Sequence, residues 1–362
     1  MAVASSATDS EFPKPVNVVF QADLLDVAKS VAPYFDGTVA TELNLHRGTS
    51  SVKWRRIEKL TAVSSALSEL TSVAGYDRTP ANPSTTDVEV AVSKYGNYIL
   101  LTEEADLFNY NGQDAKLVEI MAINAGESLD KLQRNEMEDN SGITYTGGVA
   151  SDGVVASKIT LTAVETVINS LVRQDAMPFR PGTMGSTNIG TVPTLESYNL
   201  ICHPDVAYDI AKFSTGFTGV DKYAGQRATA PGEFGTVAIA GYAVRCLQTN
   251  HASIDSNSGS GTASSLGLRT AGNTGIDLYS TVVYGQNAVG SVGFGFEHIK
   301  EVYRDGDRMP SIQLIMKERG SSGTADPYNE LSTLAWKSWH AAKVLNTNWI
   351  QAIRSGATSL TG

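Results

Sequence analysis

The sequence has few of the residues and segments on which secreted and membrane proteins depend. Two cysteines in 362 residues, Cys202 and Cys246, cannot supply a disulfide framework. No apolar run approaches the ~20 residues that a membrane helix needs. The opening segment MAVASSATDSEFPKPVNVVF lacks the basic and apolar regions of a signal peptide. We therefore expect a soluble intracellular product with no membrane partner.

Charge is also scarce and unevenly divided. Charged residues make up 18% of the chain, below the ~25% that is usual for globular proteins. The 38 acidic and 28 basic residues give a net charge of −10. A chain this acidic is a poor candidate for wrapping nucleic acid with its whole surface. Its low charge and its 33 glycines are more typical of a subunit that hides surface in an assembly.

The familiar motifs of enzymes and metal sites are missing as well. The chain has no G-x-S-x-G, Walker A, H-E-x-x-H or C-x-x-C pattern, and its five histidines are far apart. We therefore expect no catalytic residue, cofactor or metal ion. Cys202 beside His203 suggests a nucleophile pair, but adjacent strand residues point to opposite faces, so a buried structural cysteine is the better interpretation. His203 and Asp205, on either side of Pro204, are interpreted as helix caps.

Two groups of carboxylates leave an enzymatic interpretation open. Glu103 and Glu104 stand side by side, and Glu136, Glu138 and Asp139 end a predicted helix. A catalytic pair of carboxylates could use such residues. A solvated or salt-bridged surface is favoured, because carboxylates at a helix C-terminus oppose the helix dipole and attract a cation from elsewhere.

Residues 46–60 are locally basic, with the cations Arg47, Lys53, Arg55, Arg56 and Lys59. Val52 and Trp54 alternate with two of these cations, which predicts a strand, and DVEVAV at 87–92 predicts a second one. A long polar segment joins them into an extended hairpin that is too thin to bury a core by itself. The cations could bind nucleic acid, with Trp54 stacked on a base, or the acidic surface of a neighbouring protein. The protein is favoured, because the rest of the chain would repel phosphate.

Apolar periodicity places the remaining elements. Three segments have the spacing of amphipathic helices: 19–32, 112–140 and 161–174. Three segments alternate as strands do: 235–247, 276–303 and 311–319. Residues 198–213 predict a buried strand, a turn and a helix, and the Ser, Asn, Gly and Thr of 249–275 predict a surface loop. The period of the block 325–353 is ambiguous between that of a helix and that of a strand.

Three segments, taken in order, resemble a known family. They are KYGNYILLTEEADLF at 94–108, LICHPDVAYDI at 200–210 and DPYNELSTLAWKSWHAAKVLN at 326–346. Together they resemble the major capsid proteins of tailed phages, in particular those of podoviruses that package a giant virion RNA polymerase. Glu103 in place of an aspartate, His340 in place of an aromatic residue, and the 249–275 segment as an insertion depart from the family pattern.

The resemblance implies an α+β fold of the Hong Kong 97 type. Its parts are an N-terminal arm, an extended loop, a peripheral domain with a long spine helix, and an axial domain. The implied boundaries are 1–45 for the arm, 46–98 for the extended loop, 99–180 and 290–354 for the peripheral domain, 181–289 for the axial domain and 355–362 for a tail. The resemblance also makes 331–345 a strand, which the pattern alone left open.

The function implied is that of a major capsid protein. Such a chain forms hexamers and pentamers of an icosahedral bacteriophage head, assembled in the host cytoplasm around double-stranded DNA that it binds without sequence specificity. Scaffold, portal and decoration proteins would be separate partners. The hairpin would lie over an adjacent subunit, and its cations would meet acids near the neighbour's spine helix. The candidate inter-subunit residues are Lys53, Trp54, Arg55, Arg56, Lys59, Glu136, Glu138 and Asp139.

Three alternatives remain at this point. An encapsulin-like shell would share the fold but enclose protein cargo. An intracellular enzyme of the α/β-hydrolase kind would need a site that the motifs do not reveal. A tail or decoration protein would form a ring or a trimer. For a shell, we expect the 249–275 loop on the outer face, because its polar composition suits solvent.

Overall fold

The structure is a computed structural model, and it describes most of the chain. The described residues are 32–43, 50–64, 82–107, 114–179, 196–222, 232–239, 241–261, 267–272, 275–294, 312–321 and 326–360. The helix predicted over 19–32 lies outside them except for Ala32, and so do Arg47 and the middle of the polar segment that joins the two hairpin strands.

The first sheet is built around one long strand near the C-terminal end. Its strands are β1 (Val39–Leu43), β4 (Ser93–Thr102), β12 (Val289–Phe294), β13 (Ile312–Lys317) and β14 (Leu331–Val344). β14 pairs with β4 along one edge, and along the other edge with β13 and then β12. β1 adds to β12 in parallel. Within the block whose period was ambiguous, Leu331–Val344 is therefore a strand, as the resemblance implied for 331–345.

The second sheet is larger and mixed. Its strands are β5 (Gly142–Tyr145), β6 (Ser197–Cys202), β7 (Phe217–Gly219), β8 (Glu233–Ile239), β9 (Tyr242–Gln248), β10 (Ile254–Asp255), β11 (Leu278–Tyr284) and β15 (Ile350–Ser355). They run in the order β5-β15-β11-β6-β9-β8-β7, with β10 beside β11. Every residue of β6 and β11 is buried, which is expected of central strands covered on both faces.

Four α-helices accompany the sheets in the described part of the chain. They are α1 (Glu103–Leu107), α2 (Asp114–Asp139), α3 (Leu161–Arg173) and α4 (Pro204–Ala211). Short 3₁₀ turns lie at Pro33–Phe35, Thr146–Gly148, Asp152–Val154, Val220–Lys222 and Thr347–Trp349. The predictions over 112–140, 161–174 and 198–213 are thus confirmed within one or two residues at most boundaries.

Helix α2 is the spine helix of the predicted fold. Its 26 residues span ~39 Å. Met121, Ala125 and Leu129 of the predicted stripe are buried, and they pack against Leu334 and Trp336 on the inner face of the first sheet. Because β14 presents these two residues at a spacing of two, the sheet and the helix form one apolar layer.

The buried half of α3 covers the second sheet. Ala163, Val164, Val167, Ile168 and Leu171 are its buried residues. They join β6, β9, β11 and α4 in the largest apolar cluster of the described chain. Thr160 caps the helix by accepting a hydrogen bond from the Ala163 N–H at 3.3 Å.

The sheets divide the chain at points that differ from the implied domain segments. β5, from the 99–180 segment, and β15, at the end of the 290–354 segment, are strands of the second sheet. β15 pairs with β11 along its whole length, while its buried Ile350 also packs with Val289 and Val344 of the first sheet. β1, from the arm at 1–45, belongs to the first sheet.

The 249–275 segment is more closely anchored than a projecting surface loop. Ala252 and Leu268 are buried, and Arg354 of β15 pairs with Asp255. A second anchor reaches the spine helix, where His251 Nδ1 lies 2.9 Å from Asp130 Oδ2. The composition of the segment predicted solvent exposure, but these few apolar and charged residues hold it against the body.

Candidate functional site: the hairpin and the sheet face beneath it

The hairpin that the sequence predicted is a two-stranded sheet of its own. β2 (Ser51–Ile57) and β3 (Thr85–Ala91) are antiparallel, and Ser51 faces Ala91 at one end while Ile57 faces Thr85 at the other. From Val52 onward, partly covered and exposed residues alternate along β2, so one face packs inward and the other points outward. The hairpin therefore offers two chemically different surfaces.

The inward face of the hairpin is apolar and lies on the first sheet. Val52, Trp54, Val90 and Val92 pack against Val292 of β12 and Ala341 of β14. This contact fixes the base of the hairpin on its own subunit.

Trp54 is the centre of that contact. Its Nε1 donates a hydrogen bond to Thr41 Oγ1 at 3.1 Å. Its ring covers Gly290, where a Cβ atom would lie only 2.9 Å from Trp54 Cζ2. Glycine at 290 thus permits the close approach of the indole to the strand. Trp54, a candidate contact residue, is partly covered within its own subunit.

Replacement of Trp54 by alanine is expected to loosen the hairpin base. Loss of a half-buried indole and one hydrogen bond should lower the free energy of unfolding by about 2 kcal/mol. Trp54→Phe keeps most of the packing and should lower it by about 1 kcal/mol. Urea unfolding of both variants checks this order, and equal stability of all three proteins would contradict the packing account.

The outward face of the hairpin carries a cross-strand network of opposite charges. Arg55 donates from Nε and Nη2 to the two carboxylate oxygens of Asp87 at 2.8 and 3.1 Å. Lys53 Nζ lies 3.6 Å from Glu89 and 3.9 Å from Asp87. The hydrogen bond with Arg55 lowers the pKa of Asp87, and the same bond raises the pKa of Arg55. These groups are exposed, so the network serves more to set the register than to stabilise the fold.

Arg56 points to the inward side and ties the hairpin to the end of β14. It pairs with Glu58 at 2.7 Å, and its Nη1 donates to the Leu345 carbonyl at 3.2 Å. Two hydrogen bonds lower the pKa of Glu58, and the one from Thr86 contributes more than the one from Arg56. Arg56 is therefore engaged within its own subunit.

From Ile57 onward the chain exposes apolar side chains. Ile57 is 70% exposed, Leu60 is 51% exposed and Val63 is 85% exposed. Lys59, between them, reaches Asp175 at 3.0 Å, although both side chains remain largely in solvent. Exposed apolar residues grouped on one segment indicate a contact with another surface.

The acids at the end of α2 have different environments. Glu136 pairs with Lys343 of β14 at 3.0 Å, which supplies the cation that a carboxylate at a helix C-terminus attracts. Glu138 is mostly buried, and burial raises its pKa. Hydrogen bonds from Ser253 lower the same pKa by a smaller amount. Asp139 is exposed at the last helical position.

Within one chain, then, the predicted contact residues form two separate groups. Lys53, Trp54, Arg55, Arg56 and Lys59 lie on the hairpin and Glu136, Glu138 and Asp139 lie at the end of α2. Sequence reasoning missed Asp87 and Glu89 as the partners of Lys53 and Arg55. The signal was present, because both acids alternate with valines in DVEVAV and so must share one face of the hairpin.

Cys202 and His203, the two residues considered as a nucleophile pair, are a buried thiol and a helix cap. Cys202 and Cys246 are free and buried, and burial raises the pKa of both thiols. His203 Nδ1 accepts the Asp205 N–H at 3.2 Å and caps α4, as predicted. Asp205 also accepts a hydrogen bond from Tyr279 at 2.9 Å and pairs with Arg269.

Metal-binding clusters and membrane-spanning helices are both absent from the described ranges. Those residues contain no group of three or more His, Cys, Asp or Glu side chains that could hold a metal ion. None of their helices combines the length and the apolar character that crossing a membrane requires.

Comparisons with known proteins identify the fold and the family. A family model described as phage capsid protein matches residues 85–355. The capsid of Ralstonia phage GP4 matches with a TM-score of 0.62 at 10% identity, covering 91% of this chain and 93% of that one. The head of Helicobacter pylori bacteriophage KHP40 matches with a TM-score of 0.56 at 12% identity, covering 90% of each chain. The capsid of cyanophage P-SCSP1u matches with a TM-score of 0.54 at 12% identity, covering 91% and 89%. No curated protein matches the sequence significantly.

The family match spans about three quarters of the chain, so the chain belongs to the phage capsid protein family. It has the α+β fold of the Hong Kong 97 type and is a structural protein, the major capsid protein of a tailed phage, and thus a component of the virion. The predicted class and fold are confirmed.

Proposed function

We propose that this chain forms the hexameric and pentameric capsomers of an icosahedral head that encloses double-stranded DNA. The family match over residues 85–355 carries the proposal. Assembly takes place in the host cytoplasm, with scaffold, portal and decoration proteins as separate chains. The subunit needs no catalytic residue for this role. Its net charge of −10 keeps it from adhering to the packaged DNA.

The two sheets correspond to the two domains of such a subunit. The first sheet, α2 and the hairpin make the peripheral part. The strands β6 to β9 with α4 make the axial part near the capsomer centre. We assign β5, β11, β15 and α3, which belong to the second sheet or pack on it, to the region between these two parts.

The hairpin is the proposed contact with an adjacent subunit. Its base is held on its own subunit by Trp54, and its far end presents Ile57, Leu60 and Val63 to solvent. Ring-forming contacts join two different surfaces of one chain, and an arm of this kind can bury apolar area between subunits. Such contacts are individually weak and repeated, which lets assembly be cooperative and correctable.

Charge contributes to this contact through the outward face of the hairpin. Lys53 and Arg55 are exposed beside their in-chain acids, so a neighbour can share them. Asp139 is the most accessible acid at the end of α2, because Glu136 pairs with Lys343 and Glu138 is hydrogen-bonded to Ser253 within the same subunit. The proposed pairing therefore joins Arg55 or Lys53 of one subunit to Asp139 of the next.

Exchanging the charges of Arg55 and Asp87 tests the proposed inter-subunit pairing separately from the stability of the hairpin. Arg55→Asp alone places two acids together and should disturb the hairpin. Arg55→Asp combined with Asp87→Arg restores the in-chain pair but reverses the arrangement that a neighbour meets. We expect both variants to form at least tenfold fewer shells by light scattering. Normal shells from the double variant would contradict the inter-subunit pairing.

The matched control exchanges two opposite charges on α2. Lys116 and Glu119 are both exposed and lie one helical turn apart. Lys116→Glu combined with Glu119→Lys should assemble as the unmodified protein does.

The content of the particles decides between phage head and protein-cargo shell. Purified particles, treated with nuclease before disruption, should release protected double-stranded DNA. Particles filled with a second protein and free of nucleic acid would favour the encapsulin-like alternative. A protein that stays monomeric when it is co-expressed with scaffold and portal would favour the enzyme.

A further inference from the structure

The buried side of α2 changes character along the helix. Met121 and Leu129, in its first half, are buried among apolar side chains of the first sheet. In the half that follows, the buried residues are Asp130, Gln133 and Met137, of which only Met137 is apolar. Among the described residues, neither polar atom of the Gln133 amide has a hydrogen-bond partner. Apolar packing therefore holds the second half of the helix less firmly than the first.

A short connection of the second sheet lies along this second half. Residues 249–253 join β9 to β10. His251, in the middle of the connection, has its Nδ1 atom 2.9 Å from Asp130 Oδ2 and its Nε2 atom 3.7 Å from Glu127 Oε1. The Asp130 side chain is fully buried, so its hydrogen-bond partners have to come from the protein.

Two further contacts continue along the same side of the helix. Arg134 Nη1 donates a hydrogen bond to the His251 carbonyl. The side chain and the backbone of Ser253 both donate hydrogen bonds to Glu138. These two helix residues continue the spacing of three or four residues on which Asp130 lies, so all the contacts share one side of α2. The connection therefore holds the polar half of the helix through hydrogen bonds.

The 249–275 segment is itself fixed to the second sheet. β10 pairs with β11, and Asp255 of β10 forms an ion pair with Arg354 of β15. Leu268 is buried together with Ile276. Because these anchors do not involve α2, the segment is a fixed support to which the helix is attached.

Asp139 follows this supported stretch and is the proposed partner of the neighbour's Arg55 or Lys53. A side chain that is held in place before a contact forms saves the entropic cost of ordering it. Glu136 and Lys343 also tether the end of the helix to the first sheet, but their ion pair is partly exposed. The buried contacts with the connecting residues are the firmer support.

We propose that His251 is a positioning residue for the contact between subunits: it holds the second half of α2 on the 249–275 segment and so keeps Asp139 where the hairpin of the next subunit meets it. The inference rests on the proposed pairing of the hairpin with Asp139. It assigns a role to the segment that departs from the family pattern, which supports the contact site from behind.

Hydrogen–deuterium exchange of the free subunit tests this support without any shell. His251→Ala removes both ring contacts, so the amides of residues 130–139 should exchange at least tenfold faster while those of 117–126 are unchanged. His251→Asn places an amide nitrogen near the position of Nδ1 and should restore most of the protection. Arg134→Gln breaks the contact from the helix side and gives the same test if His251→Ala does not fold. Unchanged exchange in these variants would overturn the proposal.

The matched control loosens the same segment away from the helix. Arg269→Ala breaks an ion pair between the segment and Asp205. The exchange of α2 in this variant should equal that of the unmodified protein. Faster exchange of residues 130–139 would show that any loosening of the segment frees the helix, which would overturn the specific role of His251.

Light scattering of the same variants tests the effect on assembly. His251→Ala should form at least tenfold fewer shells, and His251→Asn should restore them. Normal shells from a His251→Ala protein whose helix is loosened would overturn the positioning role. Asp139→Ser separates the two proposals, because it should exchange as the unmodified protein does and still form fewer shells. Normal shells from Asp139→Ser would contradict the pairing itself.

Discussion

Replacement of Ile57, Leu60 and Val63 by serine is expected to abolish shell formation while leaving the subunit folded. The three side chains are exposed in the free subunit, so each substitution should change the free energy of unfolding by no more than about 0.5 kcal/mol. If they are buried at a contact, their loss costs about 1 kcal/mol or more each. About 3 kcal/mol per contact corresponds to a weakening of about a hundredfold, and every contact in the shell is affected.

Size-exclusion light scattering and urea unfolding together check this result. The triple variant should elute as free subunits or capsomers and unfold at nearly the same urea concentration as the unmodified protein. A matched control replaces three apolar residues elsewhere that are each more than half exposed, Val154, Met177 and Leu360, and should assemble normally. Shells from the first variant would show that the far end of the hairpin makes no essential contact.

His340 is expected to make the subunit sensitive to acid. It is 1% exposed on the inner face of β14, with its ring centre 5.5 Å from that of Phe35. Burial lowers the pKa of His340 to about 4, so the ring is neutral in the folded state at neutral pH. The unfolded chain takes up a proton below pH ~6.5 that the folded chain refuses until pH ~4. Stability is therefore complete above pH 6.5 and falls as the pH is lowered through this window, by about 3 kcal/mol in total.

His340→Phe should remove this component. A phenyl ring fits an apolar position beside Phe35 and carries no proton, so the variant should lose about 3 kcal/mol less than the unmodified protein between pH 7 and pH 4. Urea unfolding at intervals of half a pH unit measures the difference. Trp336→Phe, on the same face of β14, should instead shift the stability equally at every pH. Parallel curves for His340→Phe and the unmodified protein would contradict the account.

The sequence predicts the elements whose residues repeat with one clear period. The stripe of α2 and the alternation of β2 and β3 are local patterns, and both elements form where those patterns stand. The period of β14 is ambiguous because Trp336 faces the helix layer while Trp339 faces outward, so each face carries a tryptophan. Only its pairing with β4, far away in the sequence, settles it.

The partners of the candidate site residues are less predictable, because they depend on register and tertiary packing. A one-residue shift between β2 and β3 would separate Arg55 from Asp87. The pairing of Glu136 with Lys343 joins residues that are more than 200 positions apart. The 249–275 segment shows the same limit, since its polar composition gives no sign that His251 reaches Asp130 on the spine helix.

Negative-stain electron microscopy, with light scattering on the same purified sample, tests most directly whether identical copies of this chain close into a shell. The chain is expressed alone and together with scaffold and portal proteins, and each preparation is concentrated before imaging. We predict closed polyhedral shells, or hexamers and pentamers, in at least the co-expressed preparation. A protein that remains a soluble monomer under both conditions would contradict the account.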